Sequence, residues 1–146
     1  MKHKVVLTRR WPEQVEKALA EKYDCTFNPT DTPFTAEQYQ NALLTADALL
    51  PTVTDKLDAD AMNVANPRTK IIANFGVGFS HIDLDTVKSH NIVITNTPDV
   101  LSDCTADIAM TLLLMAARRA GEGERELRSS QSVSYTHLTL PTICSV

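Results

Sequence analysis

Residues 71–83 of the chain read IIANFGVGFSHID, an apolar strand followed by a Gly-X-Gly turn and the beginning of a helical pattern. Glycines in such a turn allow positive φ angles and let a ligand approach the backbone closely. The exposed amides of the turn, near a helix N-terminus, suit an anion such as a carboxylate or a phosphate. We therefore predict a small-anion site at Gly76, Val77 and Gly78, although a plain structural turn explains this stretch at least as well when it is taken alone.

The turn does not match the dinucleotide-binding fingerprint. That fingerprint needs G-x-G-x-x-G after the first strand of its domain. Here His81 stands in the place of the third glycine, and the turn follows the fourth predicted strand. A cradle for a small anion is therefore preferred to a pyrophosphate site.

Around this stretch, short β-branched runs alternate with helical patterns, which is typical of parallel βαβ units. The strands are predicted at residues 4–8, 24–28, 47–53, 70–75 and 92–96, and the helices between them at residues 12–22, 35–44, 58–65 and 82–90. Thr35 and Gln38 have the spacing of a capping box. The fold class predicted from this alternation is α/β, with a doubly wound parallel sheet that is complete by about Thr97.

Residues 102–128 form one long helical pattern without proline. A helix of that length is longer than a five-stranded domain needs, so we predict a hinge into a further domain and an incomplete chain. The apolar stripe of this helix would lack the sheet that it should cover, which predicts poor solubility or self-association. The stripe consists of Ile108, Leu112, Met115 and Ala116.

The composition fits a globular domain and argues against several other classes. The chain has 146 residues, 43% of them hydrophobic and 22% charged, with a net charge of -4, so a sizeable core is possible and a basic surface for nucleic acid or anionic lipid is not expected. No apolar run approaches the roughly 20 residues that cross a bilayer. Three widely separated cysteines argue against a disulfide framework or a metal site. We predict a cytoplasmic protein that binds neither nucleic acid nor membrane nor metal.

Three linked segments resemble one enzyme family. They are Gly76–Gly78 with Ile82 and Asp83, the IVITNTP of residues 92–98, and the DVLSDCTAD of residues 99–107, which leads into residues 109–119. In this order and spacing they resemble the D-2-hydroxyacid dehydrogenases. The DVL after the Asn-Thr-Pro resembles the glyoxylate/hydroxypyruvate reductase branch. The resemblance extends over about residues 3–129 and is strongest after residue 69.

The resemblance implies a two-domain, homodimeric enzyme that uses NAD or NADP to reduce a small 2-keto acid, glyoxylate or hydroxypyruvate, to the D-2-hydroxy acid. Residues 1–99 would be a flavodoxin-like substrate domain. Residues 100–129 would be the hinge and the first long helix of a truncated Rossmann cofactor domain.

The resemblance also implies roles for particular residues. Gly76, Val77 and Gly78 would bind the substrate carboxylate, while Val77 and Thr105 would lie against the cofactor. The end of the third strand, around Pro51 and Thr52, would border the substrate pocket.

The catalytic Arg, Glu and His of the family lie further along its chains, and none has a counterpart here. His3, His81 and His90 match no catalytic position and are interpreted as solvated surface residues. We therefore expect the chain as given to be inactive and to bind neither NADH nor NADPH tightly.

Residues 130–146 do not continue the family pattern. Val133 to Thr142 agrees with one translated frame of a transposon-end adapter used in sequencing libraries, so we predict that this tail is not native. His137 and Cys144 are therefore not interpreted as a metal or catalytic pair. A natural frayed C-terminus is the other interpretation.

A non-enzymatic receiver or flavodoxin-like binding domain is the alternative from another class, because fold alone does not fix function. A receiver needs acidic residues after the first strand and a phosphoacceptor Asp after the third, where this chain has Thr8-Arg9-Arg10 and Pro51-Thr52. A flavodoxin needs a hydroxyl-rich phosphate loop after the first strand. The enzyme interpretation is preferred.

Overall fold

The computed structural model describes residues 1–129, which belong to two compact units, Met1–Asp99 and a second unit that begins at Val100. The predicted tail, residues 130–146, lies outside the described residues. The elements of the first unit are β1 (Lys4–Leu7), α1 (Glu13–Lys22), β2 (Asp24–Thr26), α2 (Ala36–Thr45), β3 (Ala48–Leu50), β4 (Ile71–Ala73), α3 (Leu84–Ser89) and β5 (Val93–Thr95). Those of the second are α4 (Ser102–Ala117) and α5 (Ala120–Arg128).

The first unit contains one five-stranded sheet in the order β2-β1-β3-β4-β5, and every pair of neighbouring strands is parallel. This is the flavodoxin-like doubly wound order, so the predicted fold class is confirmed. Because the strands are parallel, their carboxyl ends meet at one edge of the sheet. The loops after β3, β4 and β5 are therefore neighbours there.

The two faces of the sheet bury cores of different size. One face packs with α2 and α3 into a large apolar cluster, whose centre includes Tyr39, Leu43, Leu49, Met62, Ile72 and Val87. The other face packs a smaller cluster of Val5, Leu7 and Leu50, with Leu19 of α1 against it. The predicted capping box is confirmed at the start of α2, since Thr35 and Gln38 exchange both hydrogen bonds.

The helix predicted at residues 58–65 is wrong. Met62 donates its amide to the Asp58 carbonyl at 3.0 Å, which closes a single turn, but the Val64 amide then donates to the Met62 carbonyl at 2.9 Å. Asp58 also accepts a bond from the Ala61 amide through its own side chain, which offers the backbone an alternative to a helix. Ala61 and Met62 are buried all the same, so part of the pattern reflected burial and not a helix.

The single long helix predicted at residues 102–128 is also wrong. It breaks between α4 and α5 at Arg119, which lies in the left-handed region with φ 52° and ψ 36°. Gly121 and Gly123 follow, and each glycine weakens a helix by about 1 kcal/mol relative to alanine. The apolar side chains of α4 are exposed, while the self-association expected from them stays a prediction. No helix of residues 1–129 is long and apolar enough to cross a membrane.

Candidate functional site

The loop after β4 lies between two neighbouring loops at the carboxyl edge of the sheet. On one side Phe75 donates its amide to the Pro51 carbonyl at 2.8 Å, and it pairs with Thr52 in a parallel bridge. On the other side Thr97 donates its amide to the Gly76 carbonyl at 3.0 Å. These bonds place Gly76, Val77 and Gly78 beside Pro51 and Thr52, which sequence reasoning had assigned to the border of the same pocket.

The carbonyls of this loop are held by side-chain amides. Asn74, at the end of β4 and only 2% exposed, donates from Nδ2 to the carbonyls of Gly76 at 3.3 Å and Gly78 at 2.9 Å. Asn96, just after β5, donates from Nδ2 to the Val77 carbonyl at 2.9 Å. Within residues 1–129, the amides of Val77 and Gly78 donate to no acceptor. Two consecutive amides without a protein partner are donors that an anion can use.

The prediction that the two glycines adopt positive φ is wrong, since neither does. At Gly76 the requirement is close packing, because a Cβ there would lie 2.1 Å from Cγ1 of Val53. At Gly78 a Cβ would meet no atom within 4 Å. The missing side chain at Gly78 therefore leaves open space next to the free amides.

The predicted helix N-terminus beside the turn is displaced. The structure begins α3 at Leu84 instead of residue 82, and Asp83 caps it by accepting bonds from the Asp85 amide at 3.1 Å and the Thr86 hydroxyl at 2.9 Å. A carboxylate of the protein thus already occupies that end of the helix. Any attraction for an anion must come from the loop amides themselves.

The loop after β3 is organised by Asp55, which sequence reasoning missed. Asp55 is 3% exposed and accepts hydrogen bonds from the Thr8 hydroxyl, the Tyr39 hydroxyl at 2.7 Å and the Thr52 amide at 2.7 Å. Burial, together with the bond to Asp55, raises the pKa of Tyr39 well above its usual value. The spacing Thr52-x-x-Asp55 is the one available sequence signal, since it suits an acid that accepts from a nearby backbone amide.

An aromatic pair lies at the same edge. The rings of Trp11 and Phe75 are 4.9 Å apart between centroids. Arg9 and Asp31 form an ion pair at 2.9 Å, and Asp31 also accepts a bond from the Arg10 amide. The basic stretch after β1 is thus partly neutralised by Asp31.

The surface interpretation of the histidines is right for His3, which is exposed, and wrong for His81 and His90, which are half-buried. Nε2 of His81 lies 3.1 Å from Oδ1 of Asn74. Burial lowers the pKa of His81. Since Nδ2 of Asn74 donates to two carbonyls, its Oδ1 is the acceptor and His81 is the donor in this contact.

Thr105 lies apart from these residues along the chain, in the second unit, where it is exposed on α4. Its role toward a cofactor therefore stays a prediction, as does that of the exposed Val77. The loop after β4 does not fit a pyrophosphate, because α3 is short and its end is capped by Asp83. In residues 1–129 the structure offers amide donors suited to a carboxylate and no dinucleotide phosphate site.

Comparison with known proteins identifies relatives of the whole chain. The family model for the D-isomer specific 2-hydroxyacid dehydrogenase catalytic domain matches residues 5–145. The glyoxylate reductase of Thermococcus onnurineus is 37% identical over 131 residues, which are 90% of this chain and 39% of the relative. The human glyoxylate reductase/hydroxypyruvate reductase is 34% identical over 94% of this chain and 42% of its own length.

Solved structures agree with these relatives. The NADPH-dependent glyoxylate/hydroxypyruvate reductase of Sinorhizobium meliloti, crystallised with NADP and malonate, superimposes with a TM-score of 0.72 at 26% identity, over 90% of this chain and 39% of that one. The chain thus spans about two fifths of the length of the relatives that it matches.

Proposed function

The chain belongs to the D-isomer specific 2-hydroxyacid dehydrogenase family, and from this premise we propose that it supplies the substrate-binding part of an enzyme that reduces a small 2-keto acid to the D-2-hydroxy acid. Glyoxylate and hydroxypyruvate are the proposed substrates, because relatives are named for their reduction. The observation that carries the proposal is the pair of amides at Val77 and Gly78 that have no partner within residues 1–129. They lie at the carboxyl edge of a doubly wound sheet, where such folds bind ligands.

The loop of Gly76–Gly78 is proposed to bind the carboxylate of the keto acid. Each backbone N–H can donate one charge-assisted hydrogen bond to a carboxylate oxygen, and such bonds are about twice as strong as neutral ones. The open space at Gly78 admits the ligand, and the bridge to Thr52 brings a second loop to the border of the pocket. Holding the carboxylate fixes the position of the neighbouring keto carbon, which is the part of catalysis that residues of this loop can supply.

The reaction needs groups beyond residues 1–129. A nicotinamide cofactor supplies the hydride when bound, and Val77 and Thr105 are the residues of this chain proposed to lie against it. The structure favours neither NAD nor NADP. The family resemblance places the Arg, Glu and His of catalysis further along the polypeptide. We therefore expect the 146-residue chain alone to be inactive, and we propose a homodimer for the whole enzyme.

The surroundings of Asp55, the acid nearest the end of β3, argue against a receiver-like role. Asp55 is buried and accepts bonds from Thr8, Tyr39 and Thr52. A phosphoacceptor carboxylate must be reached by its phosphodonor, and Asp55 is enclosed by these donors. The amides of Val77 and Gly78 at this edge can donate to a bound anion. They cannot replace the acidic residues that a receiver needs.

A chimera tests the proposal directly. Residues 1–129 of this chain replace the matching segment of the Thermococcus onnurineus glyoxylate reductase, and reduction of glyoxylate by NADH and NADPH is followed at 340 nm. We expect activity, and we expect it to fall at least about tenfold when Gly78→Pro removes one carboxylate-binding amide, since a lost charge-assisted bond costs about 1.5–3 kcal/mol. A folded chimera that binds cofactor but does not reduce glyoxylate would contradict the proposal.

A further inference from the structure

We propose that Asn74 and Asn96 are positioning residues that hold the loop amides in the orientation needed to bind a carboxylate. The inference rests on the proposed function, because it concerns the same site. It adds two residues to that site which do not touch the ligand and act through the backbone of Gly76, Val77 and Gly78.

The geometry of the peptide bond makes the connection. In a trans peptide the C=O of one residue and the N–H of the next point in opposite directions. Fixing the carbonyl of Gly76 therefore fixes the amide of Val77, and fixing the carbonyl of Val77 fixes the amide of Gly78. Asn74 holds the first of these carbonyls at 3.3 Å, together with the Thr97 amide at 3.0 Å, and Asn96 holds the second at 2.9 Å. With the carbonyls directed toward the asparagines, the amides point away from them.

The arrangement differs from that of an ordinary turn. In a β-turn the amide of the fourth residue often bonds to the carbonyl of the first, and the amides of the two central residues have no partner within the turn. Here side-chain amides donate to the carbonyls of Gly76, Val77 and Gly78, and the Thr97 backbone amide also donates to that of Gly76. The amides of Val77 and Gly78 keep no partner within residues 1–129. This loop therefore differs from a plain turn in having side chains that hold its carbonyls.

Asn74 is suited to this role because it is itself held in place. Its side chain is buried, and its backbone amide donates to the Thr95 carbonyl at 2.9 Å, which ties it to β5. Its Oδ1 accepts from His81, so both donors of Nδ2 remain directed at the loop. An apolar side chain of similar size could fill the space but could not hold the carbonyls.

Asn96 offers the cleaner test because it is exposed, so its replacement removes one bond without opening the core. The variants are Asn96→Ala, Asn96→Gln, which keeps the amide, and Asn74→Leu, which keeps the volume. Asn41→Ala on the exposed side of α2 is the matched control. Each is prepared as the ¹⁵N-labelled 146-residue chain, and the amides of Val77 and Gly78 are followed by NMR, first without ligand and then with sodium glyoxylate.

The expected result is that Asn96→Ala increases the fast motion of the Gly78 amide and weakens glyoxylate binding at least about fivefold, the effect of roughly one hydrogen bond. Asn74→Leu should have a smaller effect at Val77, because the Thr97 amide still holds the Gly76 carbonyl. Asn96→Gln should restore binding to within about twofold of the unmodified chain. Asn41→Ala should change neither readout.

Two outcomes separate this inference from the proposed function. If the unmodified chain binds glyoxylate at Val77 and Gly78 and Asn96→Ala binds it equally well with unchanged amide motion, the positioning role is wrong and the anion site stands. If the unmodified chain shows no glyoxylate response, the proposed site is wrong. In that case the loss of amide order in Asn96→Ala still decides whether the side chain orients the loop.

Discussion

The loops that follow β3 and β4 are neighbours at one edge of the sheet, joined by the bond from the Phe75 amide to the Pro51 carbonyl, yet their amides have different partners. After β3, the Thr52 amide donates to the buried carboxylate of Asp55. After β4, the amides of Val77 and Gly78 donate to no residue of the described chain. The same kind of donor is thus satisfied by the protein in one loop and left open in the next.

From this difference we infer a structural role for the loop after β3 and a binding role for the loop after β4. Asp55 connects the end of β1, through Thr8, and α2, through Tyr39, to the loop after β3, so this loop is fixed by a buried acid. The loop after β4 has its carbonyls held by the uncharged side chains of Asn74 and Asn96 and by the Thr97 amide, and its amides are the ones that we propose to bind a carboxylate. Removing Asp55 should therefore cost stability, whereas changes at the second loop should chiefly cost binding.

The largest effect is expected at Asp55. Asp55→Ala leaves the Tyr39 hydroxyl and the Thr52 amide without their acceptor, whereas the Thr8 hydroxyl can still donate to the Leu50 carbonyl. Each unsatisfied buried donor costs about 1–3 kcal/mol. We expect the free energy of unfolding to fall by about 3 kcal/mol or more, measured by urea denaturation. Asp60→Asn, an exposed acid in the same region, is the control and should change it by less than about 0.5 kcal/mol. A similarly small loss in Asp55→Ala would remove the contrast between the loops.

Replacing the two glycines should have a smaller effect on stability, and the effect should differ between them. Gly76→Ala should destabilise the chain by about 1 kcal/mol, because its Cβ would overlap Cγ1 of Val53 and force that half-exposed side chain to turn. Gly78→Ala should leave stability unchanged, since its Cβ meets no atom within 4 Å. Thermal unfolding of the two variants, and of Gly76→Ala combined with Val53→Ala, checks this. Equal losses at both glycines, or no relief in the double variant, would show that close packing is not the reason for Gly76.

The smallest effect on stability is expected from the titration of His81. Burial lowers its pKa, so between this lowered value and about 6.5 the unfolded state binds more protons than the folded state. Stability therefore rises slightly with pH through that window and is fully present above it. The pKa of His81, measured by NMR titration of its ring, should lie below about 6.5. Because Nε2 donates to Asn74 in both charge states, the loop amides should shift little during the titration; a large shift would contradict that assignment.

Much of the fold followed from local patterns, and the rest depended on contacts that no local pattern contains. The alternation of strands and helices, the capping box at Thr35 and the position of the Gly76–Gly78 loop are visible along the chain because they depend on neighbouring residues. Asp55 and Asn96 were missed because their partners come from other strands and loops. The break at Arg119 was missed because no proline interrupts residues 102–128.

The reason for the glycines illustrates the same limit. Positive φ is the usual explanation for a Gly-X-Gly turn, and it is wrong here, since Gly76 is required by Val53 on the loop after β3. The predicted contribution of a helix N-terminus to the anion site is also wrong, because Asp83 caps α3 with its own side chain. The anion site at Gly76–Gly78 stays a prediction, and its proposed donors belong to the loop alone.

The most direct test of the account compares the two loops in one experiment. The ¹⁵N-labelled 146-residue chain is titrated with sodium glyoxylate, and the amide resonances of Val77, Gly78 and Thr52 are followed together. The account predicts saturable shifts at Val77 and Gly78 and no comparable shift at Thr52, whose amide is already bonded to Asp55. Shifts of equal size at all three amides, or none at Val77 and Gly78, would contradict the claim that the loop after β4 is the carboxylate-binding site.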